Sequence, residues 1–158
     1  HTSIKSVWWC SRYYMSKYVL YQHDGDVSLE VYLLEEPSEL ARSCISGGFG
    51  IKISNPKDCP NLNELQFLKI TEGKYEYDTT KLQGAAIAIL RQKRDEALEE
   101  LDKAIIRHIT NPDTLSRIES TKQELRDIPG AVDLSFVTHP VDIEHLSPPV
   151  LSTYKEFV

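Results

Sequence analysis

Strand-like apolar patterns occupy the first half of the chain. Tyr18 to Tyr21 is a run of strand-forming residues, and the segment His23-Asp24-Gly25-Asp26 that follows has the residue types of a tight turn. Beyond the turn, apolar residues alternate with Ser28, Glu30 and Tyr32, which is typical of a strand with one face in solvent. The alternating apolar residues are Val27, Leu29, Val31 and Leu33. This order of strand, Asp-Gly turn and strand predicts a β-hairpin.

Shorter elements continue the pattern to about residue 80. The segment SELARSCI after Pro37 predicts one or two helical turns, and the glycines of GGFG (47–50) end it. IKIS and LQFLKI predict two further strands, separated by the loop NPKDCPN. In EGKYEYD a turn at glycine precedes the alternating residues Tyr75 and Tyr77. Residues 15–80 are therefore predicted to form a small β-rich domain.

A helical pattern begins at residue 81 and runs to about residue 109. Apolar residues recur there at spacings of three and four, which predicts one apolar stripe along a long helix. The stripe consists of Ile87, Leu90, Ala97, Leu101 and Ala104, widened by Leu98 and Ile105. Arg94 and His108 fall in the same seam, and His108 is expected at its exposed edge or as a register-setting residue rather than as a ligand.

The opposite face of this helix is acidic. Its carboxylates are Asp95, Glu96, Glu99, Glu100 and Asp102. Glu99 precedes Lys103 by four residues, in the favourable order for an ion pair. Two interpretations stay open for this face, a solvated surface and a surface that receives a basic partner.

A second helix follows a proline-containing loop. Pro112 is expected to end the first helix, and Asp113 is expected to cap the second. With Leu115, Ile118 and Leu125 on one side, this helix should fold back on the first as an antiparallel hairpin over residues 81–129. The narrow apolar seam predicts either self-association of parallel copies or packing against the β-rich domain.

The octet QELRDIPG (123–130) is predicted to end the second helix. Proline disfavours helical geometry in the residue before it, so Pro129 and Gly130 should act as a stop. Arg126 would complement the carbonyl end of the helix dipole. Asp127 is expected to bond locally or to pair with an arginine such as Arg94.

Residues 130–158 are predicted to form one short strand, LSFV, and an extended tail punctuated by prolines. Val150, Leu151, Tyr154 and Phe157 would be spaced anchors for a groove or a sheet edge. The alternative interpretation is a metal site formed by His139, Asp142, Glu144 and His145. We favour the solvated tail, because Pro140 and the pair Pro148-Pro149 work against a rigid helical presentation of ligands.

The first fourteen residues differ from the rest. They contain both tryptophans, Trp8 and Trp9, and no acidic residue, and Met15 resembles an ordinary start. Residues 1–14 are therefore either sequence from outside the native protein or a basic, aromatic arm that docks on a partner through its tryptophans.

Composition narrows the classes of function. A net charge of −6 argues against a non-specific nucleic-acid binder, and no apolar run is long enough to cross a bilayer. Cys10, Cys44 and Cys59 lack Cys-x-x-Cys spacing, which favours free thiols in a reducing compartment. The GGFG segment lacks the lysine and spacing of a phosphate loop, and His23 with two nearby aspartates fits a solvated turn better than a metal site. We expect neither enzymatic activity nor a cofactor.

The helical hairpin resembles one that is common in bacteriophage tail assembly chaperones, tail fibre assembly proteins and related small tail components. The segments are KRDEALEELD (93–102) and, after a loop with proline, IESTKQELRDIP (118–129). The positions that match are Arg94, Asp95, Leu98, Asp102, Gln123, Leu125, Arg126, Asp127, Ile128 and Pro129. Lys122 replaces an arginine, and Lys103, Ile118 and Thr121 stand where the family favours aromatic residues.

The patterns along the chain predict an α+β protein with a small N-terminal β-rich region, a long-helix hairpin and an extended C-terminal tail. The resemblance of the hairpin implies that this protein acts by protein–protein contact. Other phage tail or tail-fibre proteins would be its partners, with a homo-oligomer also expected, in the virion tail or in the host cytoplasm during assembly. The predicted contact residues are Trp8, Trp9, Arg94, Leu98, Leu101, Ile118, Leu125, Arg126, Ile128, Tyr154 and Phe157. The alternative is a regulatory or host-directed protein-binding module unrelated to tails.

Overall fold

The computed structural model describes residues 17–33 and 35–158. The chain divides after Asp78 into two compact units, the first built on antiparallel strands and the second, Thr79–Val158, on helices. The predicted α+β class, a small β-rich region followed by long helices, is confirmed. The arm predicted over residues 1–14, with Trp8 and Trp9, lies outside the described residues.

Two antiparallel sheets, one of three strands and one of two, form the first unit. Strand β1 (Lys17–His23) pairs on one side with β2 (Asp26–Tyr32) and on the other with β3 (Gly50–Ile53). The second sheet joins β4 (Leu68–Thr71) to β5 (Lys74–Tyr77), and the 3₁₀ helices Pro56–Asp58 and Leu62–Phe67 lie between β3 and β4. The predicted hairpin is confirmed. Its turn residues Asp24 and Gly25 have φ values of +51° and +85°, the positive pair that a type I′ turn requires.

Both faces of the three-stranded sheet are covered, because the neighbours Val19 and Leu20 of β1 are each fully buried. Leu20 and Val27 pack with Ile70 of β4 on one face. On the other face Val19 and Tyr32 pack with Ala41. The prediction that Tyr32 lies on the solvent face of β2 is therefore wrong, because Tyr32 is buried. Val31 and Leu33, which the alternation placed on the opposite face with Val27, are exposed.

Helix α1 (Glu39–Ser46) confirms the helical turns predicted after Pro37. It begins at Ser38, whose hydroxyl accepts a hydrogen bond from the Ala41 N–H at 3.3 Å. The chain turns in the glycine-rich segment after α1, and Gly50 then lies close to Ile45. A Cβ atom on Gly50 would lie 2.6 Å from Ile45 Cγ1 and 2.8 Å from the Ile45 backbone nitrogen, so β3 packs directly under the end of α1.

Helices α2 (Thr79–Arg107) and α3 (Pro112–Ala131) form the predicted antiparallel hairpin of the second unit. The buried residues of α2 follow the predicted stripe closely: Leu82, Ala86, Leu90, Ala97, Leu101 and Ala104. The predicted cap was wrong. The Asn111 side chain accepts from the Thr114 N–H at 3.2 Å, and Pro112 takes the first helical position, where its missing N–H costs nothing.

The predicted helix stop at Pro129 was also wrong, because α3 continues through it to Ala131. Ile128 is buried, and the Val132 N–H donates to its carbonyl at 3.1 Å. Burial of Ile128 therefore outweighs the local preference against helix before proline. Asp127 does not reach Arg94: it accepts a hydrogen bond from Gln123 at 3.0 Å, while Arg94 pairs with Asp95 at 2.9 Å.

The prediction of an extended C-terminal tail is wrong. Helix α4 (Pro140–Glu144), helix α5 (Val150–Thr153) and a 3₁₀ helix (Tyr154–Phe157) follow one another, and the supposed strand LSFV is a turn. Proline is well tolerated at the start of a helix, and Pro140 opens α4 for that reason. The buried side chains of this segment are Val137, Ile143, Leu146, Val150, Tyr154 and Phe157.

Polar contacts join this segment to the hairpin. The Tyr154 hydroxyl donates to Glu100 at 2.9 Å, and Arg117 donates to Glu156 at 2.6 Å. The half-buried His108 lies with Nε2 3.1 Å from the Phe157 carbonyl oxygen, which only accepts, so Nε2 carries the proton. The buried stripe of α2 packs against α3 and against the helices of the C-terminal segment.

Candidate protein-binding groove

The second unit has an apolar groove of about 680 Å³ beside the end of α3. Helix α3 and the residues just after it form one wall, the turn before α4 contributes an aromatic ring, and the connection between α4 and α5 closes the other side. The lining residues are Glu124, Asp127, Ile128, Ala131, Val132, Phe136, Leu146, Ser147, Pro148, Pro149 and Val150.

The first wall exists because α3 runs past Pro129. If the helix ended there, Ala131 and Val132 would not extend the face that carries Asp127 and Ile128. Three to four residues separate neighbours on one helical face, so Glu124, Asp127 and Ile128 lie in line. The segment that carries the tail-protein resemblance thus supplies much of this wall.

A tight turn places Phe136 at the groove. The Val137 N–H donates to the Leu134 carbonyl at 3.0 Å, and the Ser135 N–H donates to Asp133 at 2.9 Å. Ser135 lowers the pKa of the Asp133 carboxyl through two hydrogen bonds, the larger effect coming from its backbone N–H and the smaller from its side chain. With Val137 fully buried, its neighbour Phe136 turns outward and is 51% exposed.

Helix α4 anchors the far wall. The Asp142 carboxylate accepts hydrogen bonds from the N–H groups of Thr138 at 3.1 Å and His139 at 3.0 Å, and His139 Nδ1 accepts from the Val141 N–H at 3.2 Å. These residues, weighed above as metal ligands, fix the start of a helix here. No group of three potential metal ligands occurs in residues 17–33 and 35–158.

The two carboxylates on the groove wall face no cation. Asp127 accepts from the neutral amide of Gln123, and within the described part of the chain the side chain of Glu124 has no hydrogen bond or ion pair. Two other carboxylates of the unit do pair with cations, Asp102 with Lys122 and Glu156 with Arg117. The groove therefore combines an apolar floor with an uncompensated negative edge.

The structure places most predicted contact residues in the core of the second unit. Leu101, Ile118 and Leu125 are fully buried, and Tyr154 and Phe157 nearly so. Their apolar side chains pack on neighbouring helices of the same chain, which leaves them no surface to offer a partner.

The other predicted residues have different settings. Leu98 is half-buried, Arg94 is held by Asp95, and Arg126 is exposed. Ile128 is buried and also lines the groove, so one of the predicted contact residues does belong to the groove.

The groove residues that sequence reasoning missed come from segments interpreted as strand or tail. Phe136 was assigned to the strand LSFV, and Pro148 and Pro149 to a solvated tail. A useful signal was present, because a proline pair followed by Val150 and Leu151 is also the pattern of a short helix start. The approach of this segment to α3 is a long-range contact that no local pattern shows.

A smaller cleft of about 440 Å³ lies in the first unit beside the β1–β2 turn. His23 Nε2 lies 3.2 Å from an oxygen of Asp24, and Cys44 with Phe49 lines the opposite side. Cys44 and Cys59 are free, as predicted, while Cys10 lies outside the described residues. Burial, with Asp58 beside it, raises the pKa of the Cys59 thiol, which disfavours the reactive thiolate.

Comparisons with protein-family models, with curated proteins and with solved structures found no match to this chain. Among the described helices, none has the length and apolar character needed to span a bilayer.

Proposed function

We propose that this protein is a bacteriophage tail protein that acts through protein–protein contacts, either in tail fibre assembly or as a small structural component of the virion tail or fibre. The resemblance of residues 93–129 to tail-protein hairpins supports this proposal. The observation that carries it is the groove, because Asp127 and Ile128 belong to the resembling segment and line it.

The composition of the groove favours a macromolecular partner. An exposed aromatic ring beside two prolines, over buried aliphatic side chains, is typical of the anchor sites of protein interfaces. The polar side chains of its lining are two carboxylates on one helix and the hydroxyl of Ser147. A site for a small substrate usually gathers several polar groups that converge on the ligand.

Several hairpin positions in the resemblance have architectural roles that support the same proposal. Lys122 and Asp102 pair at 2.7 Å between the two helices, and Leu125 is fully buried between them. These residues hold α2 and α3 in register, and the groove depends on that register. Arg126 is exposed and remains available to a partner.

Quantitative mass spectrometry of purified particles, together with lysate of the infected host, tests this function. Stoichiometric presence in particles identifies a structural component. Presence only in the lysate, in complex with a tail or fibre protein, identifies an assembly chaperone. Absence from particles and from any complex with a tail or fibre protein contradicts the proposal.

The oligomeric state separates the two roles further. Gel filtration with light scattering that shows a stable trimer or hexamer favours a virion component. A monomer that forms a complex with a fibre protein favours a chaperone.

A further inference from the structure

The negative edge of the groove indicates which partner the groove takes. Glu124 and Asp127 lie one helical turn apart on the wall formed by α3, and neither faces a cation of the described residues. Lys122 and Arg126 are the basic residues nearest to these carboxylates in sequence, and neither forms an ion pair with them. Lys122 pairs with Asp102 at 2.7 Å and lies 3.7 Å from Glu119, and Arg126 is exposed two residues from Glu124.

The apolar surface beside these carboxylates is accessible. Phe136 is 51% exposed, and the rings of Pro148 and Pro149 lie across the groove from the α3 wall. Large exposed apolar side chains that gather in a concave site mark an interaction surface, whereas single ones scattered over a surface do not. Proline and phenylalanine rings are also stiff, so they lose little conformational freedom when a partner binds.

The size of the groove matches a short stretch of polypeptide. A volume of about 680 Å³ equals that of a site for a drug-sized ligand, roughly 300–1,000 Å³, and gives room for a few side chains of a peptide. Several side chains of an extended or helical peptide therefore fit, with a bulky apolar residue on the floor near Leu146 and Val150.

We infer that this groove binds a linear segment of another polypeptide that carries bulky apolar anchors flanked by lysine or arginine. This inference rests on the proposed protein-binding function and specifies the partner of that same site. The anchors pack on Phe136 and the prolines, and the basic residue pairs with Glu124 and Asp127. A net charge of −6 on the whole chain adds long-range attraction for a basic partner.

Selection from a random 12-residue peptide display library on the full chain provides the probe. The enriched peptides are synthesised with a fluorescent label, and their dissociation constants are measured by fluorescence polarisation. We expect enriched sequences that combine large apolar residues with lysine or arginine. The same peptides with glutamate in place of the basic residue should bind at least about tenfold more weakly, a loss of about 1.4 kcal/mol.

Two variants assign the binding to the groove. Phe136→Ala removes the exposed ring and should weaken binding about tenfold or more, as truncation of an anchor does. The double variant Glu124→Gln/Asp127→Asn should weaken binding severalfold and reduce its dependence on salt concentration. Since Phe136 is half exposed and the two carboxylates have no ion pair, all of these chains should fold.

Matched controls lie in the same unit but outside the groove. Ile106→Ala removes an apolar side chain that is 73% exposed near the end of α2, and Glu144→Gln removes an exposed carboxylate of α4. Both should bind the peptides within about twofold of the wild type, because surface changes away from a site are nearly neutral.

Three outcomes would overturn the inference: no enriched consensus, a consensus without basic residues, or binding that Phe136→Ala and the double charge variant leave unchanged. The proposed tail function fails separately. If peptide binding holds but the protein is absent from particles and tail complexes, the groove assignment stands and the phage role does not.

Discussion

The ammonium group of Lys122 on α3 lies 2.7 Å from a carboxylate oxygen of Asp102 on α2, and 12% of the Lys122 side chain is exposed. The aliphatic stem of Lys122 therefore contributes to the hairpin core while its charge reaches an acidic residue at the surface. Both residues lie in the segments that resemble tail-protein hairpins. Their contact links α3, which forms one wall of the groove, to α2.

Variants of Asp102 and Lys122 should separate the stability that the ion pair contributes from the stability that the aliphatic stem of Lys122 contributes. Asp102→Asn should cost about 1 kcal/mol, because the pair is partly exposed and Glu119 still lies 3.7 Å from the ammonium group. Lys122→Met keeps the stem and should be neutral or stabilising, whereas Lys122→Ala should cost about 1–2 kcal/mol. Urea unfolding followed by far-UV circular dichroism measures the order. Equal losses in all three variants would contradict a separate role for the stem.

Alkaline pH should weaken the contact between the C-terminal segment and α2. Burial, then the hydrogen bond to Glu100, raises the pKa of the Tyr154 hydroxyl above its ordinary value near 10. Because the neutral form is favoured in the folded state, its contribution is fully present below about pH 10 and is lost as the pH rises through the raised pKa. Tyr154→Phe should cost about 1 kcal/mol at neutral pH and show a smaller drop in melting temperature between pH 9 and about pH 11.

Tyr77 provides a similar pair in the first unit. Its hydroxyl donates to Glu64 at 2.7 Å, and this hydrogen bond, with burial second, raises its pKa. Absorbance titration at alkaline pH should therefore show a late-ionising group missing in Tyr154→Phe and another missing in Tyr77→Phe. If the absorbance lost in either variant were that of a group titrating near the ordinary tyrosine pKa of about 10, with the late-ionising absorbance retained, that pair would be contradicted.

Gly50→Ala should destabilise the first unit by about 1–3 kcal/mol, since overpacking of a tight contact costs about that much. The added methyl group would lie within 3.0 Å of three Ile45 atoms, two of them in the backbone. Gly84→Ala is the matched control, because nothing lies within 4 Å of that position in α2. That change should stabilise the second unit by about 0.5–1 kcal/mol. Chemical denaturation of both variants tests the contrast, and an unaffected Gly50→Ala would contradict the close approach.

The C-terminal segment should prove part of the folded core. Phe157 is 6% exposed, and the Arg117 guanidinium carbon lies 5.1 Å from the centre of its ring. Phe157→Ala should cost about 3 kcal/mol, as loss of a buried aromatic ring does. Val158→Ala, at a position 44% exposed, should be within about 0.5 kcal/mol of the wild type. If both variants had wild-type melting temperatures, the segment would be the free arm that the sequence pattern predicted.

Local patterns predicted the elements whose causes are local. The type I′ turn at Asp24 and Gly25 follows from two residues that tolerate positive φ. The stripe from Leu90 to Ala104 follows from helical periodicity over many residues.

The errors arose where packing between distant segments decides the structure. Pro129 and Pro140 were interpreted as helix breaks. Pro129 instead lies inside α3, where the burial of Ile128 stabilises the helix, and Pro140 is the first residue of α4. The groove needs Phe136 and Pro148 brought beside α3, and spacing along the chain does not contain that information. Buried anchors such as Tyr154 look the same in sequence whether they meet another protein or their own fold.

Site-specific photo-crosslinking in cells that assemble the particles tests the central claim most directly. The photoreactive amino acid benzoylphenylalanine is placed at position 136 in the groove or at position 106 on α2, and crosslinked partners are identified by mass spectrometry. We expect position 136 to capture a tail or fibre protein through a segment rich in apolar and basic residues, and position 106 not to do so. No adduct at position 136, or the same adducts at both positions, would contradict it.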